Sequence, residues 1–416
     1  MPFSALGLSP PLLQALARNQ LTIPTPVQSA AIPPAIAGRD VLARAQTGSG
    51  KTLAYGLPAL QHLADSSLRP ERPVRALVLV PTRELAVQVG ESLRAIANQL
   101  PHAIKISVVF GGVSINRQML ALRGGTDLVV AAPGRLLDLV ASKAVSLAGL
   151  EVLVLDEADR LLDMGFSQEL GSILTLLPPR RQSLFFSATY SAAVTALAHA
   201  LLRDPAEVMP AEPEHTPDIA QWCIAVDAPR RTQLLRHLIE ARHWRRLLVF
   251  VASRHAAEIV ADKLRKARID AEPFHSGLTQ GKRMQVLSDF KASRLKVVVA
   301  TDMASRGLDI AELPVVVNYD LPRSADDFTH RIGRTARAGE SGVAVSFISA
   351  TDLGHWELIS KRHGLTAALD TVPGFEPLDA PPATTTAATA APGNGGVKGR
   401  RPSKKDKARA RAKPQP

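Results

Sequence analysis

The 416-residue chain contains a single cysteine, Cys223. One thiol cannot close an intramolecular disulfide, and no group of Cys and His has zinc-ligand spacing, so a disulfide-stapled miniprotein and a structural zinc module are both excluded. A reducing, intracellular setting fits this composition. Long apolar runs are missing as well. They reach only about five to eight residues, as at Ala76 to Val80, against the ~18 that suggest a membrane span. The opening, MPFSALGLSPPLLQ, has no basic segment ahead of its apolar residues, so it does not read as a secretory signal and the cytoplasm is the expected location. No tandem repeat at the roughly 20 to 50 residue periods of solenoids is visible.

What is present resembles an ordinary soluble globular composition, with 46% hydrophobic and 21% charged residues. At roughly 150 residues per domain the length predicts two or three domains. The net charge of +12 favours an anionic partner. Its placement is uneven. From Pro381 onward nine Lys or Arg stand against one acid, Asp406, so this segment carries +8 of the +12. It has no aromatic residue and no Val or Leu periodicity, which predicts a disordered basic arm that attracts nucleic acid through phosphate neutralisation. A solubilising tail is the plainer alternative.

Ahead of the tail, short Val- and Leu-rich runs alternate with longer amphipathic stretches, the pattern of parallel strands buried under helices on both faces. Strands are expected at Ala76 to Val80, Ile106 to Phe110, Asp127 to Ala131, Val152 to Leu155 and Ser183 to Phe186. A second set is expected at Leu247 to Val251, Val297 to Ala300, Val315 to Asn318 and Val343 to Ile348. Between the sets lies RDPAEVMPAEPEHTPDIAQ, whose crowded prolines suit a semi-rigid connector. The expected organisation is an α/β domain over 1–207, a linker over 208–218, a second α/β domain over 219–372 and the tail over 373–416.

Three motifs carry chemistry. Ala45-Gln46-Thr47-Gly48-Ser49-Gly50-Lys51-Thr52 fits a phosphate loop with Ala45 in place of its first glycine. Backbone N–H groups of such a loop close round phosphate oxygens, Lys51 reaches the β and γ phosphates, and the Thr52 hydroxyl can ligate Mg²⁺. The run Val152 to Leu155 then delivers Asp156-Glu157-Ala158-Asp159 at the carboxyl end of a strand, where open α/β sheets bind ligands. Asp156 suits Mg²⁺ coordination and Glu157 the activation of an attacking water. Alone, these acids read equally well as an exposed helix start. In the second half, His330-Arg331-Ile332-Gly333-Arg334-Thr335-Ala336-Arg337 places Arg334 and Arg337 three apart. On a helix they would share a face and could stabilise a γ phosphate as arginine fingers when the domains close. A solvated basic helix face is the plainer alternative.

Together with these motifs, Pro24-Thr25-Pro26-Val27-Gln28, Pro81-Thr82-Arg83-Glu84-Leu85, Gly111-Gly112, Pro133-Gly134-Arg135, Ser187-Ala188-Thr189, and Ala300-Thr301-Asp302 through Arg306-Gly307-Leu308-Asp309 occur in one order. Singly, each has a bland reading as a turn, a helix cap or a surface pair. In this order they resemble the DEAD-box ATP-dependent RNA helicases over nearly all of residues 3 to 350. The opening segment and the basic tail look most like the family's bacterial RhlE-like branch.

The resemblance implies two tandem RecA-like domains and roles for individual residues. Gln28 would read the adenine edge, with Thr25 supporting it, and Asp309 would hold the ribose. Ser187 and Thr189 would couple the γ-phosphate site to RNA, and His330 would link the domains across the cleft. Pro81, Thr82, Arg83, Gly112, Gly134, Arg135, Gln280, Arg283 and Thr301 would hold the RNA sugar-phosphate backbone, contacts that position a strand without reading its sequence. The implied ligands are ATP, Mg²⁺ and RNA, the latter single-stranded or a short duplex, and the expected state is a monomer. Three residues depart from the family pattern: Leu21 where an aromatic is usual, Ala132 where threonine precedes Pro-Gly-Arg, and Ala336 in place of glycine. The expected activity is RNA-stimulated ATP hydrolysis with local, non-processive strand separation. An ATP-gated RNA clamp or annealing chaperone acting mainly through the tail is the alternative, with a DNA translocase less favoured.

Overall fold

The computed structural model describes residues 1–46, 48–65, 71–209, 219–305, 313–335, 342–363 and 369–378. The first domain is built on seven parallel strands: β1 (Val41–Arg44), β2 (Ala76–Leu79), β3 (Ile106–Val109), β4 (Leu128–Ala131), β5 (Val152–Leu155), β6 (Gln182–Ser187) and β7 (Ala206–Val208). Their order across the sheet is β3-β4-β2-β5-β6-β1-β7. The second domain contains β8 (Ile219–Ala225), β9 (Leu247–Val251), β10 (Ala271–Phe274), β11 (Val297–Thr301), β12 (Val315–Asn318), β13 (Gly342–Ile348) and β14 (Leu369–Asp370), ordered β10-β11-β9-β12-β13-β8-β14. Numbered from its own first strand, the second sheet repeats the order of the first. These are the expected tandem RecA-like domains.

Both sheets are covered on both faces, which is why their central strands are apolar throughout rather than alternating. All four residues of β2, β4 and β5 are buried, as are all five of β9. Ala76, Val78, Val130, Val154 and Phe186 belong to one core of the first domain, and Leu77, Leu79, Val129, Leu153 and Phe185 to the other. The second sheet divides in the same way between Val249, Val299 and Val317 on one side and Leu248, Phe250 and Val298 on the other. No described helix is long and apolar enough to cross a membrane.

The strands expected from sequence lie within a residue of their observed ends. Others escaped that reading. β10 carries Pro273 in its interior, a position tolerated because β10 lies at the sheet edge and Pro lacks only an N–H. The expected connector is shorter than its composition suggested: Ala206–Val208 pairs with β1, and Ile219 already pairs with β13. Val208 therefore belongs to the first sheet, a correction to the linker start. Residues 210–218 and the tail from 379 onward lie outside the described residues.

Candidate functional site: a nucleotide pocket closed by the second domain

Three neighbouring strands, β5, β6 and β1, run parallel, so their carboxyl ends bring the loops that follow them to one place. β1 leads into the phosphate loop, β5 into Asp156 and Glu157, and β6 ends at Ser187. Gly48 and Gly50 adopt φ of 82° and 90°, the left-handed conformation that glycine reaches without strain. At Gly50 a methyl group would also lie 2.4 Å from Gln28 Nε2 and 2.9 Å from Thr25 Oγ1. The Ser49 hydroxyl donates to the Gln46 carbonyl at 2.8 Å and closes the turn. Thr47 lies outside the described residues.

Thr25 and Gln28 form a capping box at the start of the Pro26–Ile36 helix. Gln28 Nε2 donates to the Gly50 carbonyl at 3.0 Å and Oε1 accepts from the Thr25 N–H at 3.0 Å, so the expected adenine reader also fastens its helix to the phosphate loop. Each end of the amide retains a second proton or lone pair. Leu21, in the usually aromatic position, packs against the first core.

Lys51 opens the helix Lys51–Asp65 and is 6% exposed. Its Nζ stands 3.6 Å from Asp156 Oδ1 and 4.0 Å from Glu157 Oε1. Neither Lys51 Nζ nor Asp156 Oδ1 has a hydrogen-bond partner. A buried ammonium and a buried carboxylate oxygen left unsatisfied are costly unless a ligand completes them. A phosphate oxygen and a cation fit these two atoms. Mg²⁺ is usually held by one or two carboxylates together with water and phosphate, and Asp156 offers one such carboxylate. Burial raises the Asp156 carboxyl above its ordinary range, with the Lys51 charge opposing. At Glu157, burial pushes the same way but is outweighed by Arg160, Lys51 and Arg334, which hold the carboxyl down at about 2. Both acids are almost fully buried, which removes the exposed-helix-start alternative.

Asp159 ties this turn to β6. Its Oδ2 accepts from the N–H groups of Ala188 and Thr189 at 3.2 and 2.9 Å and from the Thr189 hydroxyl at 2.9 Å. The Ser187 hydroxyl accepts from the Asp159 N–H at 3.3 Å and donates to the Thr189 carbonyl at 2.8 Å. The expected coupling pair is thus locked to the acidic turn.

The second domain meets this pocket through the end of the Ala325–Ile332 helix. Arg160 Nη1 donates to Glu157 Oε2 at 2.7 Å, and its Nη2 lies 3.5 Å from His330 Nδ1 across the cleft. Burial first, then the Arg160 charge, pushes the His330 imidazole down to about 4, so it is neutral near pH 7 and can accept from Arg160. Arg334 is 4% exposed and its charge acts on Glu157. One expectation is corrected here. The helix ends at Ile332, with Gly333 as its cap, so Arg334 lies in a turn rather than on a helix face shared with Arg337. The following Thr335 bridges to Leu313. Arg337, Ala336 and Asp309 lie outside the described residues.

The expected RNA-facing segments of the first domain also converge. Thr82 caps the Arg83–Ala97 helix, its hydroxyl accepting from the Leu85 N–H at 3.2 Å. Arg83 lies over Gly112, where a methyl group would fall 1.9 Å from Nη1 and where φ is 82°. Arg135 donates twice to the Val113 carbonyl at 3.0 Å, bracing the same turn. Pro133 begins the Pro133–Ala141 helix, Gly134 is in open space, and Ala132 occupies the N-cap without a capping side chain. In the second domain, both amide atoms of Gln280 are buried without a partner. Arg283, expected at the RNA backbone, is buried and pairs with Glu84 of the first domain, Nε to Oε1, at 2.8 Å. Thr301 ends β11, and the adjacent Asp302 holds Arg331 at 2.5 and 2.7 Å.

Glu84, Arg160 and Arg331 are site residues to which the sequence reading assigned no role. Arg160 had a local signal, lying three residues after Glu157 on one helix face. Glu84 and Arg331 had none, because their partners are distant in sequence.

The DEAD/DEAH box helicase family matches residues 25–197, and the helicase conserved C-terminal domain matches residues 230–339. The chain is 44% identical to the ATP-dependent RNA helicase SrmB of Escherichia coli (strain K12), over 84% of this chain and 79% of that protein. It is 38% identical to the DEAD-box ATP-dependent RNA helicase CshA of Bacillus cereus, over 86% and 67%. The structure resembles that of S. cerevisiae Dbp5 bound to RNA and ADP BeF3, with a TM-score of 0.75, 28% identity, and coverage of 89% of this chain and 95% of that one. Order of motifs, paired sheets and relatives agree, and the chain belongs to the DEAD-box ATP-dependent RNA helicases.

Proposed function

We propose that this protein is an RNA-stimulated ATPase that couples cleft closure to local, non-processive separation of short RNA duplexes or remodelling of ribonucleoproteins. The observation that carries the reading is the cross-domain group of Glu157, Arg160, His330 and Arg334: the residue suited to activating water is held by an arginine that itself contacts the second domain. Hydrolysis thereby depends on how the domains sit, and RNA spanning both favours the closed arrangement.

The phosphate loop and Lys51 hold the triphosphate, with Gln28 and Thr25 at the adenine and Asp309 at the ribose. Thr52 and Asp156 are the residues that would hold Mg²⁺, which when bound neutralises phosphate charge. Glu157, kept ionised, orients and activates the attacking water. Arg334 and Arg337 supply positive charge as the γ phosphate departs. Ser187 and Thr189 transmit the state of that site, while Arg83, the Gly112 turn, the N–H groups of Gly134 and Arg135, Gln280 and Thr301 grip the RNA backbone. Arg283 acts in the interdomain contact beside that grip.

We infer from the sequence the monomeric state, the cytoplasmic location, the RhlE-like placement and the domain limits, with Val208 now assigned to the first domain. The clamp reading draws on the tail, and the relatives, named as helicases, do not favour it.

ATP hydrolysis measured with and without single-stranded RNA, and with DNA of matching sequence, tests the proposal. Strong stimulation by RNA and little by DNA is expected. Glu157→Gln should abolish turnover yet retain ATP-dependent RNA binding. Duplex separation by that variant at the normal multiple-turnover rate would exclude the motor.

A further inference from the structure

Tyr55 lies on the Lys51–Asp65 helix three residues after Thr52 and is completely buried. Its hydroxyl donates to Asp156 Oδ2 at 2.9 Å. The ring packs edge-on against Phe186, with centroids 5.4 Å apart, directly before Ser187. One side chain therefore touches the elements carrying the phosphate loop, the acidic turn and the coupling loop.

The polarity of this bond matters. An ionised carboxylate only accepts, so the phenol's single proton goes to Asp156. At Asp156, Oδ2 is occupied and Oδ1, which faces Lys51 without a hydrogen bond, is left. Mg²⁺ tolerates little departure from octahedral geometry, so a fixed single oxygen suits it better than a carboxylate free to rotate or chelate.

We propose that Tyr55 is the positioning residue for the metal ligand Asp156, its hydroxyl holding Oδ2 so that Oδ1 is presented to the cation. This rests on the reading of Asp156 as a metal ligand. Partners that orient a ligand typically change metal affinity by about 10–100-fold when removed.

The test is Mg²⁺ titration of fluorescent ADP binding to the full chain, with a parallel measurement in excess chelator. Two variants lack the donor, Tyr55→Phe, which keeps the ring, and Tyr55→Leu, which does not. Both should raise the half-saturating Mg²⁺ concentration about tenfold, leave metal-free ADP affinity within about twofold, and only Tyr55→Leu should lower the melting temperature markedly. A normal Mg²⁺ requirement in Tyr55→Phe, whether or not Tyr55→Leu is altered, would show that the hydroxyl has no such role. Should ADP binding by the unaltered chain ignore Mg²⁺, the metal-ligand reading itself fails and this inference with it.

Discussion

The two domains share one strand order and place a buried cation at the same point, the start of the helix that follows the first strand. In the first domain it is Lys51, in the second Arg231, and each is 6% exposed. The strand facing them is also equivalent, β5 leading to Asp156 and β12 to Asp320. There the likeness stops. Lys51 stands 3.6 Å from Asp156 without a hydrogen bond, whereas Arg231 binds Asp320 at 2.8 Å, Ser349 at 3.3 Å and also Asp352. The Asp320 carboxylate additionally accepts from the Ala252 N–H at 2.8 Å. One copy of the fold holds its charges apart for a ligand to complete, and the other pairs the two Nη atoms of its guanidinium with acids of its own. The fold alone does not make a nucleotide site; unsatisfied charge at the switch point does.

Exchanging each cation for methionine gives the largest expected contrast. Lys51→Met should reduce ATP turnover on the order of 10²–10³-fold, as loss of one charge-stabilising donor typically does, with little change in stability. Arg231→Met should lower stability by about 1–3 kcal/mol, because it removes the charged hydrogen-bond partner of two half-buried acids, while the folded fraction keeps its ATPase. Denaturant unfolding and steady-state turnover on both variants check this, and equal stability losses would remove the distinction.

A smaller effect concerns the contact between the domains. In the closed cleft burial, then the charges of Arg160 and Arg334, hold His330 at about 4 against the ordinary 6.5, with Asp159 and Glu157 opposing. A depressed histidine favours the neutral form, so the open state binds more protons between these values. Closure is then fully supported above about pH 6.5 and is lost as pH falls towards 4. ATP-dependent RNA affinity should weaken about tenfold between pH 7.5 and 5.5, and His330→Gln should flatten that dependence. Fluorescence anisotropy across this range measures it.

The smallest effect belongs to Ala132. Threonine there would restore a cap to the Pro133–Ala141 helix, worth about 1 kcal/mol. Thermal unfolding should show Ala132→Thr to be more stable than the unaltered chain.

The phosphate loop and the acidic turn were legible because each is contiguous and preceded by an apolar strand. Paired sheets were legible for the same reason, since β2, β5 and β9 are unbroken Val- and Leu-rich runs. Less visible was what local sequence does not encode. Glu84 with Arg283, and Tyr55 with Asp156, meet only through tertiary packing, so no spacing announces them. Arg334 was placed on a helix because the three-residue spacing to Arg337 suits one, but Gly333 ends the helix first. β7 and β14 are three and two residues long, too short for periodicity to register.

The Glu84–Arg283 pair sets how ionic strength acts on the enzyme. Both side chains are less than a tenth exposed where the domains meet, so dissolved ions screen their attraction weakly once the cleft has closed. The grip on the RNA backbone is different, since each phosphate neutralised releases counterions and weakens steeply with salt. Rising salt therefore loosens the hold on the strand well before it undoes the embrace of the two domains, and separates the affinity of the machine for its track from its capacity to change shape.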